Sequence, residues 1–511
     1  MSEKYNVLFI MTDQHRADHM SCSGNKVLKT PNLDRLASEG TRFTNAYCTS
    51  PMCMPNRATL LTGLYPNVHG VRSNGINLAE NVPTITQSLI NRGWHTAAIG
   101  KLHLNFWGPP YKRKNKSAEF FGDWMAEEIG DNPVQENFPM PYYGFQEVEM
   151  VAGHGNFLTG HYINWLEERA PHYIEPMKER FKKMDNFFLL YCETDLTEEC
   201  YSTKYVEEKT IEVLEKQAEG YYGGKPFFIH CSFPDPHHPV CPPGKYWDLY
   251  KPADIELPES FNNIKNLYDH PFLGPHLIDP IFRGAMLRES TAEEVLKFLA
   301  LTYGSVAMID NSIGQILASL QKLGLAEKTI VIYTSDHGDF CGDHGMLLKG
   351  PAPFNGVLQV PLIWKVPGMP EGNISDSLIS TIDIPKTILE LLGIKEKHQP
   401  PNMQGLDFSR VLKDPNKIAR EKCLIMEDEE IGPKGPLLCR LRHLITKKYK
   451  LTIYEGVPNH GDLFDREEDP NELTNLWHDL NFKDLKIELL HQLYREDLKS
   501  QGRFPRRKAG V

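Results

Sequence analysis

The chain has 511 residues, 41% hydrophobic and 24% charged, with a formal net charge of −11. This is the composition of a globular protein too long for one ordinary core. The acidic balance argues against nucleic acid or an anionic membrane as the main partner, though not against an anionic small substrate. No run approaches the length of a transmembrane helix, and the first five residues lead into a strand-like segment without signal-peptide features. The ten cysteines are scattered without paired spacing, which reads as reduced thiols of a cytoplasmic protein.

Residues 7–11 (Val-Leu-Phe-Ile-Met) form a continuous apolar run, expected of a central parallel strand covered on both faces. Residues 30–40 read as a capped helix, with Thr30 as cap, Pro31 at the first position and Gly40 as stop. Residues 83–91 read as an amphipathic helix and 96–100 as the next strand. Residues 111–224 are irregular and read as an insertion or lid. Further strands are expected at 227–231 and 329–334, with helical periodicity over 292–323 broken near Gly304 or Gly314. Beyond Pro385 the pattern shifts to short antiparallel strands at 449–454 and 462–465, closed by a helix over 484–498. The basic tail 503–508 reads as a solvated end or a contact with another subunit. The expected architecture is an α/β sandwich with a mostly parallel central sheet. Its catalytic domain would span 1–385, with the insertion at about 111–224, followed by an α+β subdomain over 386–511 with a short antiparallel sheet.

In Cys53-x-Pro55-x-Arg57, Pro55 suits the first turn of a helix that stops at Gly63. Cys53 then stands just ahead of a helix N-terminus, whose free N–H groups favour an anion. Arg57, one turn on, reaches back as a fixed charge. Alone, this motif reads equally as a buried thiol beside an ordinary helix start. Asp13 (with Gln14) and Asp336-His337 each follow a strand end, where parallel sheets gather ligands. One mouth would then hold two carboxylates and an imidazole, a divalent-cation donor set. Lys101 and His103 follow another strand and share one side if that segment stays extended. They would bind oxyanion oxygens or protonate a leaving oxygen; a surface lysine and a loop histidine are the alternative. Lys349 lies in the glycine-rich stretch 344–350. His237 and His238 follow the strand at 227–231, and Asn74 follows residues 70–73.

Taken together these motifs resemble type I sulfatases, the formylglycine-dependent members of the alkaline phosphatase superfamily, from residue 6 to about 476. The resemblance implies an alkaline-phosphatase-like fold in which Cys53 is oxidised to formylglycine and its hydrate attacks a sulfate monoester. It implies catalytic roles for Cys53, Arg57, Lys101, His103, His237 and Lys349, with His237 rather than His238 as general acid. Substrate oxygens would fall to Asn74, Lys101, His103 and Lys349. Asp13, Gln14, Cys53, Asp336 and His337 would hold one divalent metal. Many members carry a second aspartate where Gln14 stands and asparagine where His337 stands. This departure looks like the phosphonate monoester hydrolase and choline sulfatase branches, which leads to Mn²⁺ with Ca²⁺ open. Phosphonate hydrolases lack the Lys101/His103 pair, which tips the reading toward sulfate. Phosphonate monoester or phosphodiester hydrolysis is the alternative, and an inactive metal-binding protein with a free thiol a third reading. A plain phosphatase is disfavoured, since those use Ser or Thr with a fuller two-metal ligand set. The implied partners are a small sulfate ester and a formylglycine-generating enzyme, and the long C-terminal arm suits a dimer or tetramer. Phe106 and Trp107 read either as a pocket lining or as core.

Overall fold

The computed structural model describes residues 4–107, 117–119, 138–182, 189–278, 287–431 and 437–502. The basic tail and part of the 111–224 stretch lie outside the described residues. The main sheet is built from β1 (Asn6–Thr12), β2 (Thr41–Phe43), β3 (His95–Gly100), β4 (Glu147–Met150), β5 (Phe227–Ser232), β6 (Thr329–Ser335), β7 (Leu362–Lys365) and β8 (Asn373–Ser375). Their order across the sheet is β8-β2-β7-β6-β1-β5-β3-β4, and β6 through β4 pair in parallel. All seven residues of β1 are buried. Val7, Phe9 and Met11 enter the core on one face, Leu8 and Ile10 the core on the other. A run that is apolar at every position is what this two-sided burial requires.

Helices α1 (Pro31–Ser38), α2 (Cys53–Thr62), α3 (Ser202–Ala218) and α4 (Ala292–Lys322) follow in chain order. Two differ from expectation. Thr30 makes no side-chain cap to α1; instead the Asp310 carboxylate of α4 accepts from the Asn32 and Leu33 amides. Helix α4 runs unbroken through both glycines, opened by a Thr291/Glu294 capping box. Its glycines serve close approach: a Cβ at Gly304 would lie 2.1 Å from the Tyr246 carbonyl oxygen, and one at Gly314 2.5 Å from Asn32. The stretch read as an irregular insertion contributes β4 and α3 to the sandwich itself.

Four antiparallel strands, β9 (Lys422–Ile431), β10 (Leu437–Thr446), β11 (Tyr449–Tyr454) and β12 (Gly461–Asp465), form a meander near the C-terminus. Helix α5 (Lys483–Ser500) closes it, with Leu489 and Leu493 packed among Leu424, Leu444, Leu451 and Leu463. Among the described residues, no helix is long and apolar enough to cross a membrane.

Candidate active site

Register brings the chemistry together. Thr12 pairs with Ser335, so the residues that follow, Asp13 and Asp336, emerge side by side from β1 and β6. Gly100 of β3 pairs with Ser232 of β5, which places Lys101 and the 235–239 loop at the same end. Helix α2 lies beneath this mouth with all ten residues buried, and ends on Gly63 at φ 68°. Cys53 opens the helix and Arg57 sits one turn on. The Arg57 guanidinium donates to Asp336 Oδ2 (2.7 Å), the Lys101 carbonyl (2.8 Å) and Ser232 Oγ (3.1 Å), tying three strand ends together. Its buried Nη2 has no hydrogen-bond partner and lies 3.6 Å from Asp13.

Asp13, Cys53, Asp336 and His337 present ligand atoms all within 4.8 Å of one another. His337 Nδ1–H donates to the Gly338 carbonyl at 2.8 Å, which leaves the Nε2 lone pair facing this cluster. Burial pushes the His337 imidazole down to about 3, so it stays neutral and free to ligate. Burial opposes ionisation of Asp336, yet His337, Arg57, Lys101 and Lys349 hold it well below the usual carboxylate range. Two hard oxygens and a lone-pair imidazole fit a divalent cation. Gln14 behaves differently from its neighbour: its amide nitrogen reaches Asp339 (2.5 Å) and His238 (3.1 Å), while its buried Oε1 carries no hydrogen bond.

Lys349 Nζ lies 3.0 Å from Cys53 Sγ, 3.0 Å from His337 Nε2 and 3.1 Å from His237 Nε2. His237 Nδ1 donates to the His238 carbonyl at 2.5 Å, so its Nε2 accepts from Lys349. Burial pushes the Cys53 thiol up, which keeps an unmodified cysteine here protonated and a poor nucleophile.

The segment after β3 does not stay extended. His103 adopts φ 56°, and the Glu119 carboxylate gathers the amides of His103, Leu104 and Asn105 at 2.8–3.1 Å. Lys101 pairs with Asp13 and bonds His154 Nε2 (2.8 Å), while His103 stacks on Trp107 at 3.7 Å. His154, from the hairpin of Ala152–His154 and Phe157–Thr159, stacks on His237 at 3.5 Å and meets Trp107 edge-on. The motifs gave no sign of His154 or Glu119; His154 follows β4 by four residues, and only its place past a strand end hinted at the site. Asp13, His154 and His237 converge within 4.8 Å as well, but the Lys101 ammonium already bridges two of them. A third cluster, His270, His460 and Asp462, suits a cation poorly. His270 Nδ1 accepts the Phe272 and Leu273 amides, which fixes the proton on the Nε2 that a metal would need.

Asn74 caps α2: its Oδ1 accepts from the Met54 amide at 3.0 Å. Behind it, Glu429 of β9 accepts from Ser73 Oγ at 2.6 Å and from the Asn74 amide. The C-terminal sheet thereby holds the loop that caps the Cys53 helix. Burial pushes the Glu429 carboxyl up to about 7.

Comparison with known proteins agrees with this geometry. The Sulfatase family model matches residues 5–394, and that of the N-sulphoglucosamine sulphohydrolase C-terminal region matches 342–499. The chain is 28% identical over 507 residues to an arylsulfatase of Clostridium perfringens, covering 98% of this chain and 95% of that protein. It is 30% identical to a multifunctional alkaline phosphatase superfamily protein of Trinickia caryophylli, covering 92% and 91%. The fold matches the phosphonate monoester hydrolase of Agrobacterium radiobacter with a TM-score of 0.77 at 23% identity, covering 98% and 97%. A buried cysteine at a helix N-terminus faces paired carboxylates, and a Sulfatase match of this extent means that the chain belongs to the sulfatase family and is a sulfuric ester hydrolase.

Proposed function

We propose that the enzyme hydrolyses aryl or closely related sulfate monoesters with a formylglycine made from Cys53, and that Asp13, Asp336 and His337 hold one divalent cation. The observation that carries this reading is the position of Cys53, at the head of α2 and in contact with His337 and Lys349. Cys53 Sγ stands where an oxygen of the aldehyde hydrate would lie. The hydrate supplies a nucleophilic oxygen and a geminal hydroxyl, and the cation supplies Lewis acidity toward the sulfuryl oxygens.

The chain's own residues do the rest. Arg57 fixes both carboxylates, Lys101 and Lys349 neutralise sulfuryl oxygens, and Asn74 holds the helix that presents residue 53. Burial and the neighbouring His154 and Lys349 push the His237 imidazole down in the free enzyme, so at rest its Nε2 accepts a hydrogen bond whose proton comes from Lys349. An anionic substrate raises the affinity of His237 for that proton, which the pair then delivers to the leaving oxygen. Gln14 Oε1, buried and unpartnered, supports a fourth contact to the cation. The imidazole of His337 supports Mn²⁺ over Ca²⁺.

The flat rings of His103, Trp107, His154 and His237 favour an aromatic alcohol half. Lys101 Nζ lies 4.6 Å from the Trp107 ring centre, so the cation-accepting surface of that ring already has a partner. This disfavours a quaternary ammonium alcohol. No disulfide joins any of the ten cysteines, which supports a reducing compartment and maturation of Cys53 there by a formylglycine-generating enzyme. The test is kcat/KM for 4-nitrophenyl sulfate against a phenyl phosphonate monoester. The sulfate is expected to lead; a phosphonate ester hydrolysed faster would move the enzyme to the phosphonate branch, which Gln14 and His337 resemble.

A further inference from the structure

Two cysteines outside the reacting cluster are placed for chemistry of their own. Tyr191 and Val240 form a parallel bridge, and the Val240 amide donates to the Leu190 carbonyl at 2.9 Å. The next residue on each side is a cysteine, so Cys192 and Cys241 stand across a ladder spacing of about 4.8 Å. Disulfides close over that span. Their sulfurs are 2.9 Å apart, inside the van der Waals contact of two sulfurs. Asn156 steadies Cys192 Sγ at 3.4 Å and the Glu193 carbonyl at 2.9 Å.

The surroundings tie this pair to the histidine wall. Asn156 belongs to the hairpin that carries His154, and Cys241 follows His237 and His238 closely. Gly155 lies so near this strand that a Cβ on it would be 2.3 Å from the Pro239 oxygen and 3.1 Å from Cys241 Sγ. Cys192 is half-buried and Cys241 buried. The hydrogen bond from Cys241 holds the Cys192 thiol below its ordinary range, while burial pushes Cys241 up. Cys192 is therefore the sulfur that attacks first.

We propose that Cys192 and Cys241 are a redox-closable pair, which a small-molecule disulfide such as glutathione disulfide converts into a staple beneath the histidine wall. The Cys192 thiolate attacks one glutathione sulfur and releases the first glutathione. The Cys241 thiolate then attacks Cys192 Sγ and releases the second. The two protein thiol protons end on the two released glutathiones, so oxidising the pair reduces one disulfide. Closing from 2.9 Å to about 2.05 Å moves the strands by less than about 1 Å. The chemistry of the site should therefore be unaffected while the wall is fastened.

The experiment treats matured full-length enzyme with glutathione disulfide, blocks remaining thiols by alkylation, and maps peptides without reduction. The expected result is a Cys192–Cys241 cross-link, a thermal midpoint raised by on the order of 4 °C, and kcat within twofold of the reduced enzyme. Cys192→Ser and Cys241→Ala should each abolish both the cross-link and the midpoint shift while retaining activity. Four results overturn the proposal: both cysteines alkylated, a lasting glutathione adduct on Cys192, a cross-link to another cysteine, or activity lost on closure.

Discussion

The floor of the site, formed by Asp13, Asp336, His337 and Arg57, stands on strand ends and a helix, whereas its wall, formed by His103, Trp107, His154 and His237, stands on loops and a short two-stranded hairpin outside the main sheet. The floor is fixed by β1–β6 register and by a guanidinium that ties three strands together. The wall is fixed by a few anchors, Glu119 under the His103 turn and ring stacking between His154 and His237. On the proposed mechanism this contrast implies a division of labour: the floor would hold the cation and the nucleophile, and the wall would supply the leaving-group proton through His237 and meet the alcohol.

The comparison breaks first at the floor. Asp336→Asn removes the charged group that Arg57 bonds at 2.7 Å and a proposed cation ligand, and kcat/KM should fall by about 10³-fold or more. Elemental analysis should show lost metal; full metal with activity within tenfold would undo the floor as drawn. Next, His237→Ala should lower kcat by on the order of 10²-fold for alkyl sulfates of poor leaving ability, and far less for nitrophenyl sulfate. Equal losses across leaving groups would place the acid elsewhere. His154→Ala removes one hydrogen bond to the Lys101 ammonium, and a loss of about tenfold in kcat/KM is expected. Unchanged kinetics would reduce His154 to packing.

The smallest effect concerns the support behind the floor. Folded Glu429 keeps its proton up to about 7, against an ordinary value of 4.5. A raised carboxyl stabilises the fold fully below 4.5, and that contribution disappears as pH climbs through 7. Melting curves should therefore show wild type losing on the order of 3 kcal/mol between pH 4.5 and 8 that Glu429→Gln does not lose. Parallel pH dependences in the two proteins would remove Glu429 from this role.

The same contrast governs what the sequence revealed. The apolar run of β1, the strands before Lys101 and Asp336, and the helix between Cys53 and Gly63 were legible because burial on both faces and end-capping leave local marks. Asp13 and Asp336 were placed in one mouth from topology alone. His154 and Glu119 were not legible, since one histidine in a three-residue strand or one glutamate in a loop carries no periodicity, and their partners lie far along the chain or across a turn. The expectation of an extended Lys101–His103 segment failed for a related reason: the carboxylate that bends it comes from Glu119. Strands β9 and β10 were missed because charged residues such as Glu427 and Glu429 are buried there, masking the alternation that marks a strand. Both α4 glycines suggested breaks because their packing against Tyr246 and Asn32 is invisible locally.

Mass analysis of the peptide holding residue 53, taken from enzyme turning over aryl sulfate, reaches the central claim most directly. The account requires an aldehyde in place of the thiol. An intact cysteine at that position in fully active protein would contradict it.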